Sequence, residues 1–235
     1  FSLCDLLTSV HIGDGVTSIG ERAFWGCESL SSVRMGNHIT SIGDEAFEET
    51  ALLSDPSHWE KGALTIDGYL IKVSEYIPYA YTISDNVRYI ASKAFNECYI
   101  LTSVIIPSSV QRIGDFAFRY CSMLTSVAIS DGVTSIGEGA FADCDSLTSI
   151  ILPNSVTNIG GGAFYECKSL ISATIGNGVQ RIGEATFMGC SNLKKIRYNG
   201  TVEQWQTVEK GEGWYDDILA TDILCTNGEV ILESK

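Results

Sequence analysis

The sequence predicts an α/β solenoid, a right-handed superhelix in which parallel β rungs stack on one another and short helical turns connect them. Three observations predict this fold. A segment centred on Ala-Phe recurs at 23-residue intervals along most of the 235-residue chain. Several apolar columns keep the same register, and each repeat contains a stretch that alternates apolar and polar residues, as a half-buried strand does. Because one rung cannot bury its apolar side alone, we expect the rungs to share a continuous core.

Two columns define the register of the repeat most clearly. The phenylalanine column comprises Phe1, Phe24, Phe47, Phe95, Phe118, Phe141, Phe164 and Phe187. The leucine column comprises Leu7, Leu30, Leu53, Leu101, Leu124, Leu147, Leu170 and Leu193. We expect the phenylalanine column to lie in single file inside the solenoid, where replacing one ring with alanine would cost about 3–5 kcal/mol.

One representative rung shows how each part of the repeat is expected to fold. Leu124–Ile129 alternates apolar and polar residues and predicts a strand. Ser130–Gly132 predicts a corner, because glycine accepts a positive φ. Val133–Gly137 predicts a second extended stretch, and Glu138–Cys144 predicts one helical turn packed against the core.

The repeat lapses once inside the chain. Phe47 and Phe95 are 48 residues apart, and the regular columns are missing at about residues 51–80. In this interval Asp67-Gly68 separates two apolar runs within Ala63–Val73, which is a strong hairpin signal. The sequence therefore predicts a β-hairpin that replaces about one rung. Two interpretations remain open: an irregular rung, or a projecting element that binds a partner.

The C-terminus also departs from the repeat, which divides the chain into a solenoid at residues 1–198 and a capping segment at residues 199–235. Trp205, Trp214 and a hairpin around Thr226–Gly228 are expected to cover the last apolar layer, although an aromatic ligand cage is the alternative. No equivalent cap precedes Phe1. We expect that end to be exposed, covered by a missing segment, or paired end to end with another copy.

Composition narrows the class of partner. With a formal net charge of −14, the chain is a poor match for nucleic acid or for an anionic membrane surface. Its apolar runs are all far shorter than the roughly 20 residues of a membrane helix, so no membrane insertion is expected.

Seven of the eight cysteines share one repeat column, and Cys225 lies outside it. The column comprises Cys4, Cys27, Cys98, Cys121, Cys144, Cys167 and Cys190. Stacked side chains about 4.8 Å apart with parallel Cβ vectors do not suit a disulfide, so we expect free, inward-facing thiols that reach backbone carbonyls. The spacing fits no zinc motif, and we predict neither a metal site nor a cofactor.

No motif in the sequence predicts catalysis. His11, His38 and His58 lie in the first quarter of the chain, and a Cys–His pair would require an exposed thiol beside one of them. Nucleophile-elbow, zinc-protease and phosphate-loop motifs do not occur. We therefore predict that the protein is not an enzyme; a hydrolase would require a pocket of converging polar groups.

The remaining candidate site is a surface formed by outward positions of the predicted strands. Its expected ligand-binding residues are Arg34, Thr82, Ile105, Ala128, Ile151, Thr174 and Arg197, in a column that His11 begins. The middle of this column is apolar or small, and its ends are basic. Solenoids often bind partners through such extended faces. The alternative is that Ile105 and Ile151 only reflect β propensity.

The pattern Leu-x-x-Ile-x-Ile-Pro…Ile-Gly…Ala-Phe-x-x-Cys, present with small variations in 101–121 and 147–167, resembles the BspA-type leucine-rich repeats of bacterial surface proteins. The resemblance covers nearly the whole chain and is specific for fold more than for function. It implies a leucine-rich repeat fold, a secreted or cell-surface location, and adhesion to host or bacterial macromolecules. The expected function is thus non-enzymatic recognition of an extracellular protein or glycan, with a rigid spacer in a larger surface protein as the alternative.

Overall fold

The computed structural model describes residues 1–74 and 76–232. The chain forms a β-solenoid of about nine turns, as the repeat predicts. Each regular rung contributes one strand of up to four residues and one two-residue strand, so two strand columns run along the molecule. We refer to them as the long-strand column and the short-strand column.

The strands of the long-strand column pair in parallel with the equivalent residues of the next rung. They are β1 (Ser9–Ile12), β3 (Ser32–Met35), β8 (Ala80–Thr82), β10 (Ser103–Ile106), β12 (Ser126–Ile129), β14 (Ser149–Ile151), β16 (Ser172–Ile175), β18 (Lys195–Tyr198) and β20 (Asp222–Cys225). Between adjacent regular rungs the partner lies 23 residues along the chain, as in Val104 and Val127. The column is divided into three ladders, β1–β3, β8–β10–β12 and β14–β16–β18–β20.

The short-strand column follows the same parallel register. Its strands are β2 (Ser18–Ile19), β4 (Ser41–Ile42), β9 (Tyr89–Ile90), β11 (Arg112–Ile113), β13 (Ser135–Ile136), β15 (Asn158–Ile159), β17 (Arg181–Ile182) and β19 (Glu209–Lys210). The isoleucines of this column are buried, and the residues that precede them in these strands are exposed or partly covered except Tyr89, which is buried. The two columns therefore enclose an apolar interior between them.

The segment expected to form a helical turn folds instead as consecutive tight turns. In the representative rung, Gly139 and Asp143 have φ of +54° and +58°, which interrupts any helical path. Alternate backbone amides of this segment donate to the next rung. Phe141 N, for example, donates to the Ala163 carbonyl at 2.8 Å. Bonds between rungs thus alternate with bonds inside the segment, such as Ala142 N to the Gly139 carbonyl at 3.0 Å. The regular rungs therefore form successive turns and not the single helical turn that was expected.

The stacking that the repeat predicts for the phenylalanine column is present in two files, Phe1–Phe24–Phe47 and Phe95–Phe118–Phe141–Phe164–Phe187. Phe1 is 79% exposed, so the expectation that every ring of the column lies inside is wrong for the first one. Phe118 and Phe141 stack with ring centroids 5.0 Å apart and planes 2° apart, and Phe141 and Phe164 stack at 5.5 Å and 1°. The second file ends where Phe187 meets Trp214 edge-on at 6.3 Å. Rings stacked one rung apart make each rung dependent on its neighbours.

The predicted hairpin is present as β6 (Ala63–Ile66) and β7 (Tyr69–Val73), which pair antiparallel through the Asp67-Gly68 turn. We call this element the inserted hairpin. It is preceded by helix α1 (Ala51–Ser54), a 3₁₀ turn (Pro56–His58) and β5 (Trp59–Glu60). Strand β7 also pairs in parallel with β9, so the hairpin joins the short-strand column.

The inserted hairpin divides the interior into two cores, so the expectation of one continuous core is wrong. Tyr69 and Ile71 pack into an N-terminal core with Phe24 and Phe47. Leu70 instead belongs to a C-terminal core that extends to Cys225. The hairpin is thus buried on both faces, which explains why its strands read as apolar runs.

Beyond Tyr198 both strand columns continue for one irregular rung. Helix α2 (Val202–Thr207) begins with a capping box between Thr201 and Gln204. Strands β19 and β20 then pair in parallel with β17 and β18, and β21 (Gly228–Ile231) closes the sheet as the antiparallel partner of β20. Trp205 and Trp214 are buried against the last rung. The tryptophans therefore occupy the core and are not open to a ligand.

Candidate binding surface

The long-strand column presents a row of outward side chains, which we call the strand face. Val104 and Ile106 are buried, whereas Ile105 between them is 49% exposed. Ile151 is 63% exposed in the equivalent position two rungs further along. Because successive side chains of a strand point to opposite faces, the same alternation that builds the core also sets this row outside.

The structure brings most of the predicted binding residues into direct register. Thr82, Ile105 and Ala128 are neighbours on β8, β10 and β12. Ile151, Thr174 and Arg197 are neighbours on β14, β16 and β18. All of these residues are exposed except Thr174, which is partly covered.

Arg34 does not belong to the same uninterrupted row. It pairs with His11 in the separate ladder β1–β3, and the inserted hairpin lies between that ladder and β8. The expectation of one continuous face from Arg34 to Arg197 is therefore wrong. The strand face proper runs from Thr82 to Arg197 across two ladders, which adjoin at β12 and β14 with no hairpin between them.

Sequence reasoning missed several apolar residues that extend the strand face. Tyr79, Ile171 and Leu219 are exposed beside the strands, and Leu224 is in register with Arg197 on β20. Tyr79 and Ile171 occupy the repeat position just before the long strands, which is threonine in four rungs: Thr8, Thr102, Thr125 and Thr148. The 23-residue spacing of this column in the sequence could have identified it. In the structure, hydrogen bonds link the column: Thr102 Oγ1 donates to the Tyr79 carbonyl at 2.9 Å, and Thr125 Oγ1 donates to the Thr102 carbonyl at 3.0 Å.

Cationic residues gather at the C-terminal end of the strand face. Lys194, Lys195 and Arg197 are exposed on or beside β18. Neither Arg34 nor Arg197 forms an ion pair within residues 1–74 and 76–232. Asp222 on β20 and Glu229 on β21 lie on the adjoining strands, so this end carries mixed charge. Arg197 and Lys194 are still available to contact an acidic group.

The cysteine column has a structural role. The thiols of Cys121, Cys144 and Cys167 donate to phenylalanine carbonyls 26 residues earlier, at 3.1–3.2 Å. All eight cysteines are free. Burial raises the pKa of Cys121 and Cys144, which keeps these thiols uncharged and poorly nucleophilic.

Cys4 is the exception to the expected inward column. It is exposed, whereas Cys27 is buried and donates to the Phe1 carbonyl at 3.1 Å. The difference follows from stacking: Cys27 has a rung packed against each side, and Cys4 has one on a single side only.

The histidines do not assemble a catalytic group. His11 is exposed on β1, His38 Nδ1 lies 3.0 Å from the Asp14 carbonyl oxygen, and His58 Nδ1 lies 3.3 Å from that of Leu52. In the part of the chain that the structure describes, no three metal-ligating side chains come together. Among the same residues, no helix is long and apolar enough to cross a membrane.

Comparison with solved structures finds related solenoids. A leucine-rich cell-surface protein from Faecalibacterium prausnitzii A2-165 is 30% identical with a TM-score of 0.61, and the match covers 88% of this chain and 63% of that one. A leucine-rich repeat protein from Bacteroides ovatus is 26% identical with a TM-score of 0.52, covering 96% and 55% of the two chains. The chain thus spans less than two thirds of either relative.

The pneumococcal vaccine antigen PcpA shares the fold at 17% identity, with a TM-score of 0.53 and coverage of 91% of this chain and 68% of that one. Comparison with curated protein sequences gives no significant match. No catalytic activity is indicated by these neighbours or by the family model that matches the chain.

The model of the BspA-type leucine-rich repeat region matches six copies, over residues 1–123 and 88–208. Because these matches cover most of the sequence, the chain belongs to the BspA-type leucine-rich repeat family.

Proposed function

We propose that the chain is a non-enzymatic recognition module of a secreted or cell-surface protein, and that it binds an extracellular protein through the strand face. The supporting observation is the row of exposed aliphatic side chains on a parallel sheet, with Ile105 and Ile151 at its centre. Apolar residues that are solvent-exposed in a row, on a rigid scaffold, mark contact surfaces more often than isolated ones do.

The location rests on the family and on the F. prausnitzii neighbour, which is described as a cell-surface protein. A protein partner suits the strand face better than a glycan, because the row is flat and aliphatic. Aliphatic contact areas gain free energy from displaced water, whereas sugar hydroxyls would require polar partners there. Arg197, which forms no ion pair among the described residues, would add a contact with an acidic group of the partner.

The test is retention on a panel of immobilised extracellular-matrix proteins. We expect the wild-type chain to be retained by at least one component and the double variant Ile105→Asp/Ile151→Asp to lose at least tenfold in affinity, because two carboxylates would be buried in an aliphatic contact. Met123→Asp is the matched control, since Met123 is similarly exposed but lies outside the strand face. Circular dichroism would verify that all three proteins are folded.

Equal retention of the wild type and the double variant would refute the role of the strand face. If no component retains the wild-type chain, the rigid spacer becomes the better account. Stacking of the phenylalanine rings favours the rigid spacer as the second function, because it holds successive rungs in a fixed arrangement.

A further inference from the structure

A concave site lies between the segment that precedes the inserted hairpin and the rung that follows the hairpin. Its residues lie outside the strand face. It is a cleft of about 1070 Å³. Trp59, Tyr76 and Tyr99 supply its aromatic walls. Tyr76 is 84% exposed and Tyr99 52% exposed. We call this site the aromatic cleft.

The wall that carries Trp59 is held in place by local hydrogen bonds. Trp59 Nε1 donates to the Leu53 carbonyl at 3.1 Å, and Ser57 N donates to Asp55 Oδ1 at 2.9 Å at the start of the 3₁₀ turn. Leu52 of α1 is buried in the N-terminal core and anchors the segment. The indole N–H is thus already used, and the tryptophan contributes ring surface to the cleft.

Polar groups lie between the aromatic walls. Asn96 and Glu97 line the cleft, and Asn96 Nδ2 donates to Glu97 Oε1 at 3.2 Å. The Tyr99 side chain also hydrogen-bonds to Glu97, so an aromatic wall and a carboxylate are joined at this site. The cation of the lining, Lys72, pairs with Glu48 at 2.7 Å. Its charge is therefore balanced, and the cleft presents acceptors with a net negative character.

We propose that the aromatic cleft binds a neutral oligosaccharide. The C–H face of a sugar ring carries weak positive charge that complements the negative face of an aromatic ring, and its hydroxyls donate to carboxylate and amide oxygens. The volume is sufficient for a chain of several sugar rings. Exposed aromatic walls interleaved with acceptors match this amphipathic chemistry.

Charge and hydrogen-bond polarity separate this ligand from two others. An anionic glycan would meet Glu97 and a lysine that is already paired, on a chain of net charge −14. A proline-rich peptide offers carbonyl acceptors and requires donors from the groove, but the Trp59 N–H is engaged with Leu53. The available groups favour a ligand that donates hydrogen bonds.

This inference is independent of the strand face, which lies on other residues. The experiment is calorimetric titration of the whole chain with maltoheptaose, cellohexaose, mannohexaose, xylohexaose and chitohexaose. We expect at least one of these probes to bind, and Tyr76→Ala/Tyr99→Ala to weaken its binding at least tenfold. Tyr165→Ala, a tyrosine outside the cleft, and Ile105→Asp/Ile151→Asp should bind the probe as the wild type does.

A conservative substitution distinguishes loss of binding from loss of folding. Glu97→Gln keeps the shape of the side chain but removes the carboxylate charge, so we expect a threefold or greater loss of affinity with unchanged circular dichroism. The proposal is overturned if none of the five saccharides binds. It is equally overturned if decaproline or heparin binds in place of every neutral probe, or if Tyr76→Ala/Tyr99→Ala binds the saccharide as tightly as the wild type.

Discussion

At the scale of single residues, the repeat places each side chain next to the equivalent side chain of the adjacent rung. A cysteine suits its column because it is small and apolar, and because its thiol reaches the carbonyl of the preceding rung. Cys144, for example, donates to Phe118 at 3.2 Å. Sequence spacing predicted this arrangement, since a disulfide requires a Cβ separation shorter than the rung spacing. The exposure of Cys4 was not predicted, because the column was expected to face inward in every rung, including the first.

The buried thiols make stability sensitive to alkaline pH. Burial raises the pKa of Cys98 from 9.0 to about 11, so the folded state keeps a proton that the unfolded chain releases. The stabilisation is present below pH 9 and is lost as the pH rises toward 11. We expect the free energy of unfolding to fall between pH 9 and pH 10, by up to about 1.4 kcal/mol per pH unit for each such thiol.

Urea denaturation under reducing conditions at these pH values would measure this fall. Cys98→Ala should show a shallower pH dependence than the wild type, because one of the responding groups is gone. An unfolding free energy that stays constant from pH 8 to pH 10 in the wild type would contradict the assignment of buried, uncharged thiols.

At the scale of elements, strands were predictable and the turn segments were not. Alternation of apolar and polar residues specifies strands such as Ser126–Ile129 directly. The Glu138–Cys144 segment was expected to form one helical turn, but alternate amides bond to the next rung, as Phe141 N bonding to Ala163 shows. Propensity acts within the segment, whereas these bonds form only after stacking, so tertiary structure overrides the local preference.

A glycine follows the short strand in most rungs, and the atoms around it show how closely adjacent rungs approach. A Cβ on Gly160 would lie 2.5 Å from Glu138 N, whereas a Cβ on Gly20, in the same column, would meet no atom within 4 Å. We therefore expect Gly160→Ala to destabilise the protein by about 1–3 kcal/mol, because backbone atoms of two rungs must separate.

Gly20→Ala is the matched control and should be neutral or slightly stabilising. Thermal unfolding of the two variants beside the wild type measures both effects. Similar melting temperatures for Gly160→Ala and the wild type would show that the rungs are not packed as closely as described.

At the scale of the whole molecule, the inserted hairpin separates two cores that the repeat alone could not distinguish. Asp67-Gly68 identified the hairpin in the sequence, but the apolar runs around it do not reveal which neighbour each face contacts. The same limit applies to the strand face. Its residues were predictable from register, whereas the gap between Arg34 and Thr82 follows from the position of the hairpin.

The two cores should respond to mutation separately. Phe47 is buried in the N-terminal core and Phe141 in the C-terminal core. Among the described residues, Phe47 stacks on Phe24 alone, whereas Phe141 stacks on both Phe118 and Phe164. Replacing either buried ring with alanine should cost about 3–5 kcal/mol locally. Hydrogen exchange followed by mass spectrometry should show faster opening of residues 9–47 in Phe47→Ala, and of residues 103–198 in Phe141→Ala.

If both variants instead accelerate exchange uniformly along the chain, the solenoid unfolds as one unit. The inserted hairpin would then couple the cores and would not separate them. In a linear array with contacts only between neighbours, the local outcome is the expected one.

Hydroxyl-radical footprinting of the chain bound to the matrix protein that retains it tests the binding proposal most directly. We expect oxidation of Ile105, Ile151 and Leu224 to fall on binding, because these exposed side chains lie in the contact, while oxidation of Met123 stays unchanged. Protection of Met123 with no change at Ile105 and Ile151 would contradict recognition through the strand face.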